Sequence, residues 1–99
     1  MERKGSHTPV VGIAWYRPED WDALKNFCED WERMDPTYDD WKRHAEETLR
    51  NLRSQGLQAQ PVDFDLNEFK MWCTVHGERP TGEARSKFVS SKVRDVSGK

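Results

Sequence analysis

The thirteen residues PVVGIAWYRPEDW, positions 9–21, decide how this chain is read. They open as a β-branched and aromatic run, which predicts a strand from about Val10 to Trp15. Val11, Ile13 and Trp15 then point to one face, and Val10, Gly12, Ala14 and Tyr16 to the other. Both faces are apolar or small, as in a strand covered on two sides. Within two residues the pattern changes. Pro18 suits the first position of a helix, where its missing N–H costs nothing. Glu19, Asp20 and Asp22 favour the positive end of a helix dipole. Trp21, Leu24, Phe27, Cys28 and Trp31 recur at helical spacing, which predicts a helix from Pro18 to about Glu29. Arg17 falls at the cap position, where Ser, Thr, Asp or Asn is preferred.

A second helix start follows in DPTYDDW (35–41), read as Asp35 for the cap, Pro36 for the first turn, and Asp39 and Asp40 behind it. Its stripe is Tyr38, Trp41, Ala45, Leu49 and Leu52, and Gly56 stops it, so a long helix is expected over 36–55. LQAQPVDF (57–64) is a weaker strand, with Pro61 marking an edge or a bulge. Asp65 and Glu68 form a capping-box pattern at the head of a third helix. That helix carries Leu66, Phe69, Trp72, Cys73 and His76 and closes at Gly77. Thr81 caps a fourth helix bearing Phe88, Val89, Val93 and Val96. The expected order is β-α-α-β-α-α, an α+β fold with aromatic side chains as its core. The single domain spans 9–96, with a loose tail at 1–8 and a frayed one at 97–99. Displacing the chain by 48 positions sets Ala14 over Val62, Tyr16 over Phe64, Trp21 over Phe69 and Leu24 over Trp72. This is compatible with a doubled unit, and equally with two strand-to-helix joints that need similar residues.

Of the 99 residues 34% are hydrophobic and 34% charged, a balance that leans toward disorder. Five tryptophans, four phenylalanines and two tyrosines lean the other way. Each ring removes about 150–250 Å² from water when buried. The net charge of −2 is uneven: residues 17–47 hold eleven acids and five bases, and residues 76–99 three acids and six bases. Such asymmetry can steer a partner or let the two halves attract each other. The acidic balance argues against nucleic acid as a partner, which requires a dense basic face. The basic end, with Arg79, Arg85, Lys87, Lys92, Arg94 and Lys99, offers Phe88 alone as a stacking ring. No apolar run approaches membrane-spanning length. The start MERKGSHTPV lacks the apolar segment of a secretion signal. Cys28 and Cys73 both fall in helical patterns, which suggests reduced thiols and a cytoplasmic protein.

Motifs that carry chemistry are few. Cys73 and His76 form C-x-x-H, but Cys28, His44 and His7 stand at spacings unrelated to a zinc site. The acidic stretch EDWERMDPTYDD (29–40) lacks the alternation and central glycine of a calcium loop. His44 and Glu47 lie one helical turn apart with no nucleophile beside them, and read as a surface ion pair. Neither phosphate loop nor dinucleotide fingerprint nor nucleophile elbow occurs. No catalytic residue, metal or cofactor is therefore assigned. Trp15, Tyr16, Arg17 and Trp41 are the candidate ligand- or partner-binding residues, at the junction of the first strand and helix. Arginine beside helix amides suits a phosphate or carboxylate. Glu19, Asp20 and Asp22 oppose an anion there and can satisfy Arg17 themselves.

The blocks WYRPEDW (15–21), TYDDW (37–41) and FKMWC (69–73) resemble blocks in the same order in a group of short uncharacterised bacterial proteins. The likeness covers most of residues 9–95. It implies a bacterial cytosolic origin and carries over no functional residue. The leading expectation is a non-enzymatic module that binds another protein or its own copy, with a homodimer joined along the first strand. The alternative is a small-molecule binder or enzyme, its ligand anionic, with a pocket at the first strand–helix junction.

Overall fold

The computed structural model describes residues 10–97, with side chains to residue 93. The loose tail expected at 1–8, residues 98 and 99, and the side chain of Val96 lie outside the described residues. Ser97 closes the last helix.

The β-branched run forms β1, Val10–Tyr16, and the second strand is β2, Gln58–Phe64. They pair in parallel, from Val10 beside Gln58 to Tyr16 beside Phe64. Each partner lies 48 positions on, the displacement at which the apolar residues of the two halves superpose. Between the strands come α1, Trp21–Phe27, and α2, Tyr38–Ser54. After β2 come α3, Leu66–His76, and α4, Gly82–Ser97. The order is thus β-α-α-β-α-α, and the fold is α+β.

The two-stranded sheet has helices on both faces, because an isolated strand pair cannot hold itself together in water. Trp15 meets Trp41 of α2, with ring centroids 5.5 Å apart. On the other face α4 crosses β1 closely at Gly12. A Cβ there would collide with Val93 Cγ2 and stand 3.0 Å from Val89 Cγ1, so only glycine fits. The deepest core lies where β2, α1, α3 and α4 meet. Phe64, Phe69, Leu24 and Cys28 are fully buried. The Phe69 ring touches those of Phe27, Phe64, Trp72 and Phe88 at 5.1–6.3 Å.

Local chemistry explains most boundaries. Asp65 Oδ1 accepts from the Asn67 and Glu68 amides and starts α3. Gly77, at φ 64°, ends it in the left-handed conformation. Thr81 Oγ1 accepts from the Ala84 amide at the head of α4.

Several expectations are corrected. The first helix is shorter than 18–29: residues 18–20 form a 3₁₀ turn and Cys28 is already extended. Tertiary bonds pull the chain out of the helix there. The Glu29 amide donates to the Pro80 carbonyl and Asp30 pairs with Arg85. Trp31 is consequently in a 3₁₀ turn and 49% exposed, not on the buried stripe of a helix. The cap of α2 is Thr37, whose hydroxyl accepts from the Asp40 amide, not Asp35. Asp35 instead takes His44 Nδ1 at 3.0 Å, so the ion pair of His44 is not with Glu47. Glu68 does not complete its capping box, because its carboxylate reaches Lys92 at 2.6 Å.

Candidate functional site

At the C-terminal end of β1 the four candidate residues divide. Trp15, Tyr16 and Trp41 come together: Trp41 lies 5.5 Å from Trp15 and 4.9 Å from Tyr16. Trp21 and Tyr38 extend this cluster, each within 6.0 Å of Trp41. The rings pack on one another in tilted and edge-on geometry, which aromatic quadrupoles favour. Arg17 turns away to β2. Its Nε and Nη2 donate to Asp63 at 3.0 and 2.6 Å, and Nη1 lies 3.6 Å from Asp65. The hydrogen bonds to Asp63 hold the guanidinium in its charged form and keep the Asp63 carboxyl below the usual carboxylate range. The acids expected to satisfy Arg17 were those of its own helix. The bidentate pair comes instead from the strand beside it, since the parallel register puts Tyr16 next to Phe64 and so Arg17 near both flanking acids. Asp20 accepts from the Leu66 amide, tying the two strand–helix joints together.

A second cluster went unnoticed in the sequence. Arg85 of α4 has a side chain 11% exposed and lies beneath Tyr16. Its Nε donates to the Tyr16 hydroxyl at 2.9 Å. Nη1 donates to Cys28 Sγ at 3.2 Å and to Asp30 Oδ1 at 2.9 Å, and Nη2 to Asp30 Oδ2 at 3.1 Å. Burial works against the Arg85 charge, but the Asp30 hydrogen bonds and the neighbouring acidic groups outweigh it and hold the guanidinium protonated. The same hydrogen bonds lower Asp30. Burial raises Tyr16 and Cys28, and Arg85 offsets only part of that, so phenol and thiol stay neutral near pH 7. Cys28 is therefore a packed thiol rather than an activated nucleophile. Both cysteines are free and buried. The signal that could have found this cluster was a lone arginine on the apolar face of α4, four residues before Val89.

A cavity of about 410 Å³ opens between β1 and α4, lined by Gly12, Ala14, Tyr16, Arg85, Ser86 and Ser90 among others. It meets a smaller one of about 290 Å³ that shares Gly12 and Ser90 and continues along Val10 and Val11. Among the described residues, no three metal-ligating side chains converge. None of the described helices is long and apolar enough to cross a membrane.

The strand edges differ. Both strands are edges of a two-stranded sheet. Beyond β2, the one described bond to the β1 main chain is that from the Tyr38 hydroxyl to the Tyr16 carbonyl, at 3.1 Å. β1 has no charged side chain, whereas β2 carries Pro61 and Asp63. Proline and charge are the usual means of keeping an edge from recruiting another strand. No family model, curated protein or solved structure matches the chain.

Proposed function

We propose that this protein is a non-enzymatic interaction module that joins its own copy through the free edge of β1. The observation that carries the reading is the contrast between a β1 edge that is uncharged and, among the described residues, unblocked, and a β2 edge interrupted by Pro61 and Asp63. β1 is also self-complementary. Antiparallel pairing about Ile13 sets Val11 opposite Trp15 and Val10 opposite Tyr16. Such β-branched–aromatic pairs contribute about 0.2–1 kcal/mol each. The β1 residues before Tyr16 are only half-buried in one chain, which leaves apolar area for a second copy to cover. The bacterial, cytoplasmic setting belongs to the same proposal and rests on the block resemblance and the two reduced thiols.

Sedimentation equilibrium over a wide concentration range tests it. A reversible dimer is expected, with β1 amides more slowly exchanged as the dimer fills. Val11→Lys sets a charge opposite Trp15 and shifts the equilibrium to folded monomer. A wild-type chain that stays monomeric at millimolar concentration defeats the proposal.

A further inference from the structure

The cavity between β1 and α4 has a chemical character of its own. None of the residues that line it is an acid, although the chain as a whole is acidic. Its polar lining is Tyr16, Arg85, Ser86 and Ser90. Of the Arg85–Asp30 pair, Arg85 lines the cavity and Asp30 does not, although Asp30 Oδ2 stands 3.2 Å from where a Cβ on Gly82, another lining residue, would lie. The cationic member of the pair is therefore the one that borders the space. The Tyr16 oxygen accepts from Arg85 Nε, which leaves the phenolic hydrogen free to donate. Arg85 uses four of its N–H groups on Tyr16, Cys28 and the two Asp30 oxygens, and a fifth remains on Nη2. The rest of the lining, Gly12, Ala14, Gly82 and Val89, is small and apolar. The volume of about 410 Å³ is at the lower end of the range for ligand pockets.

We infer that this cavity binds a carboxylate with a short apolar body, the carboxylate oxygens accepting from the Tyr16 hydroxyl, Arg85 Nη2 and Ser86 while the body lies against Ala14 and Val89. Charge-assisted hydrogen bonds of this type are about twice as strong as neutral ones, which is why an acid and not its amide is selected. The site is independent of strand addition: it uses side chains between β1 and α4, not the main chain of the β1 edge. The same carboxylate chemistry is offered by a free small acid and by the C-terminus of a peptide. The adjoining cavity along Val10, Val11 and Val93 has room for the latter's preceding residues.

Isovalerate, isovaleramide and the tripeptide Gly-Val-Val are titrated into the whole chain and followed by amide and arginine Nε–H chemical shifts. Saturable shifts at Gly12, Ala14, Ser86 and Arg85 are expected with isovalerate, and binding of the amide about tenfold weaker. Arg85 is left intact, because removing it would strand a charge on Asp30. Ser86→Ala and Ser90→Phe alter exposed positions of α4 instead. The first weakens isovalerate about threefold by removing one hydrogen bond. The second fills the cavity and abolishes binding while the rest of the spectrum stays folded. Tighter binding of the tripeptide than of isovalerate assigns the site to a chain terminus, and weaker binding assigns it to a free acid. Absence of saturable shifts overturns the inference, as does equal binding of the amide or undiminished binding in Ser90→Phe.

Discussion

The two halves of the chain run through the same sequence of elements and finish it differently. In the first, β1 leads through Arg17 into a 3₁₀ turn and a seven-residue helix, and neither start has a side-chain cap. In the second, β2 leads through Asp65, which caps an eleven-residue helix with two hydrogen bonds. At equivalent places 48 residues apart stand Trp21 and Phe69. Phe69 is completely buried among four rings, while Trp21 is buried with no partner for its indole N–H among the described residues. The first half keeps an uncharged strand edge; the second interrupts its own with Pro61 and Asp63. One plan of strand and helices thus separates two tasks. The second half supplies the larger share of the tightly packed core, to which the first adds Leu24 and Cys28, and the first half also keeps half-buried rings and an uncharged strand edge.

The most severe way to test that division is Phe69→Ala. Its ring is fully enclosed, so truncation leaves a cavity that the surrounding rings cannot refill, and a loss of about 3–5 kcal/mol is expected in urea unfolding. A loss below about 1 kcal/mol would place the core elsewhere.

Asp30→Ala strikes the bond between the halves. It leaves the Arg85 guanidinium largely buried and unpaired, at a cost of about 2–4 kcal/mol. The pH dependence follows from the same cluster. Asp30 is lowered in the folded state, so its stabilisation is present above the unfolded carboxyl value and is lost as pH falls through the folded one. Cys28 and Tyr16 are raised, so theirs is present below the unfolded values, 9.0 and 10.0, and is lost as pH rises beyond them. Unfolding free energy measured against pH should fall at both ends, and Asp30→Ala should flatten the acid limb.

Trp41→Ala follows. Its contacts with Trp15, Tyr16, Trp21 and Tyr38 are extensive, but the residue is only half-buried. About 2–3 kcal/mol is expected in urea unfolding, less than for an enclosed ring. A loss equal to that of Phe69→Ala would erase the distinction between the two clusters.

What the sequence disclosed is what local chemistry controls. A β-branched and aromatic run marked β1, a weaker run with Pro61 marked β2, helical spacing marked the helices, and Asp65, Gly77 and Thr81 marked their own boundaries. The misplaced boundaries lie where a distant group wins. Cys28 leaves its helix because Pro80 and Arg85 hold the next two residues, and Asp35 is drawn from its capping place by His44. The candidate site was partly legible. Trp15 and Tyr16 are neighbours at the end of β1, and Trp41 stands on the apolar stripe of α2 that packs there. Arg85 and Asp30 are 55 residues apart, and no periodicity within either segment announces their meeting.

Arg17→Ala is the smallest change expected. The residue breaks the capping preference at the most distinctive stretch of the chain, which invites a large role. Yet its pair with Asp63 is solvated: the Arg17 side chain is 37% exposed and that of Asp63 65%. Water and salt screen such a pair, and holding two flexible side chains together costs entropy. The midpoint of urea unfolding should therefore stay at the wild-type value within error, at low and high salt alike. If it falls steeply at low salt only, Arg17 is fastening the end of β1 to β2, and the first half of the chain is held by charge where the second is held by packing.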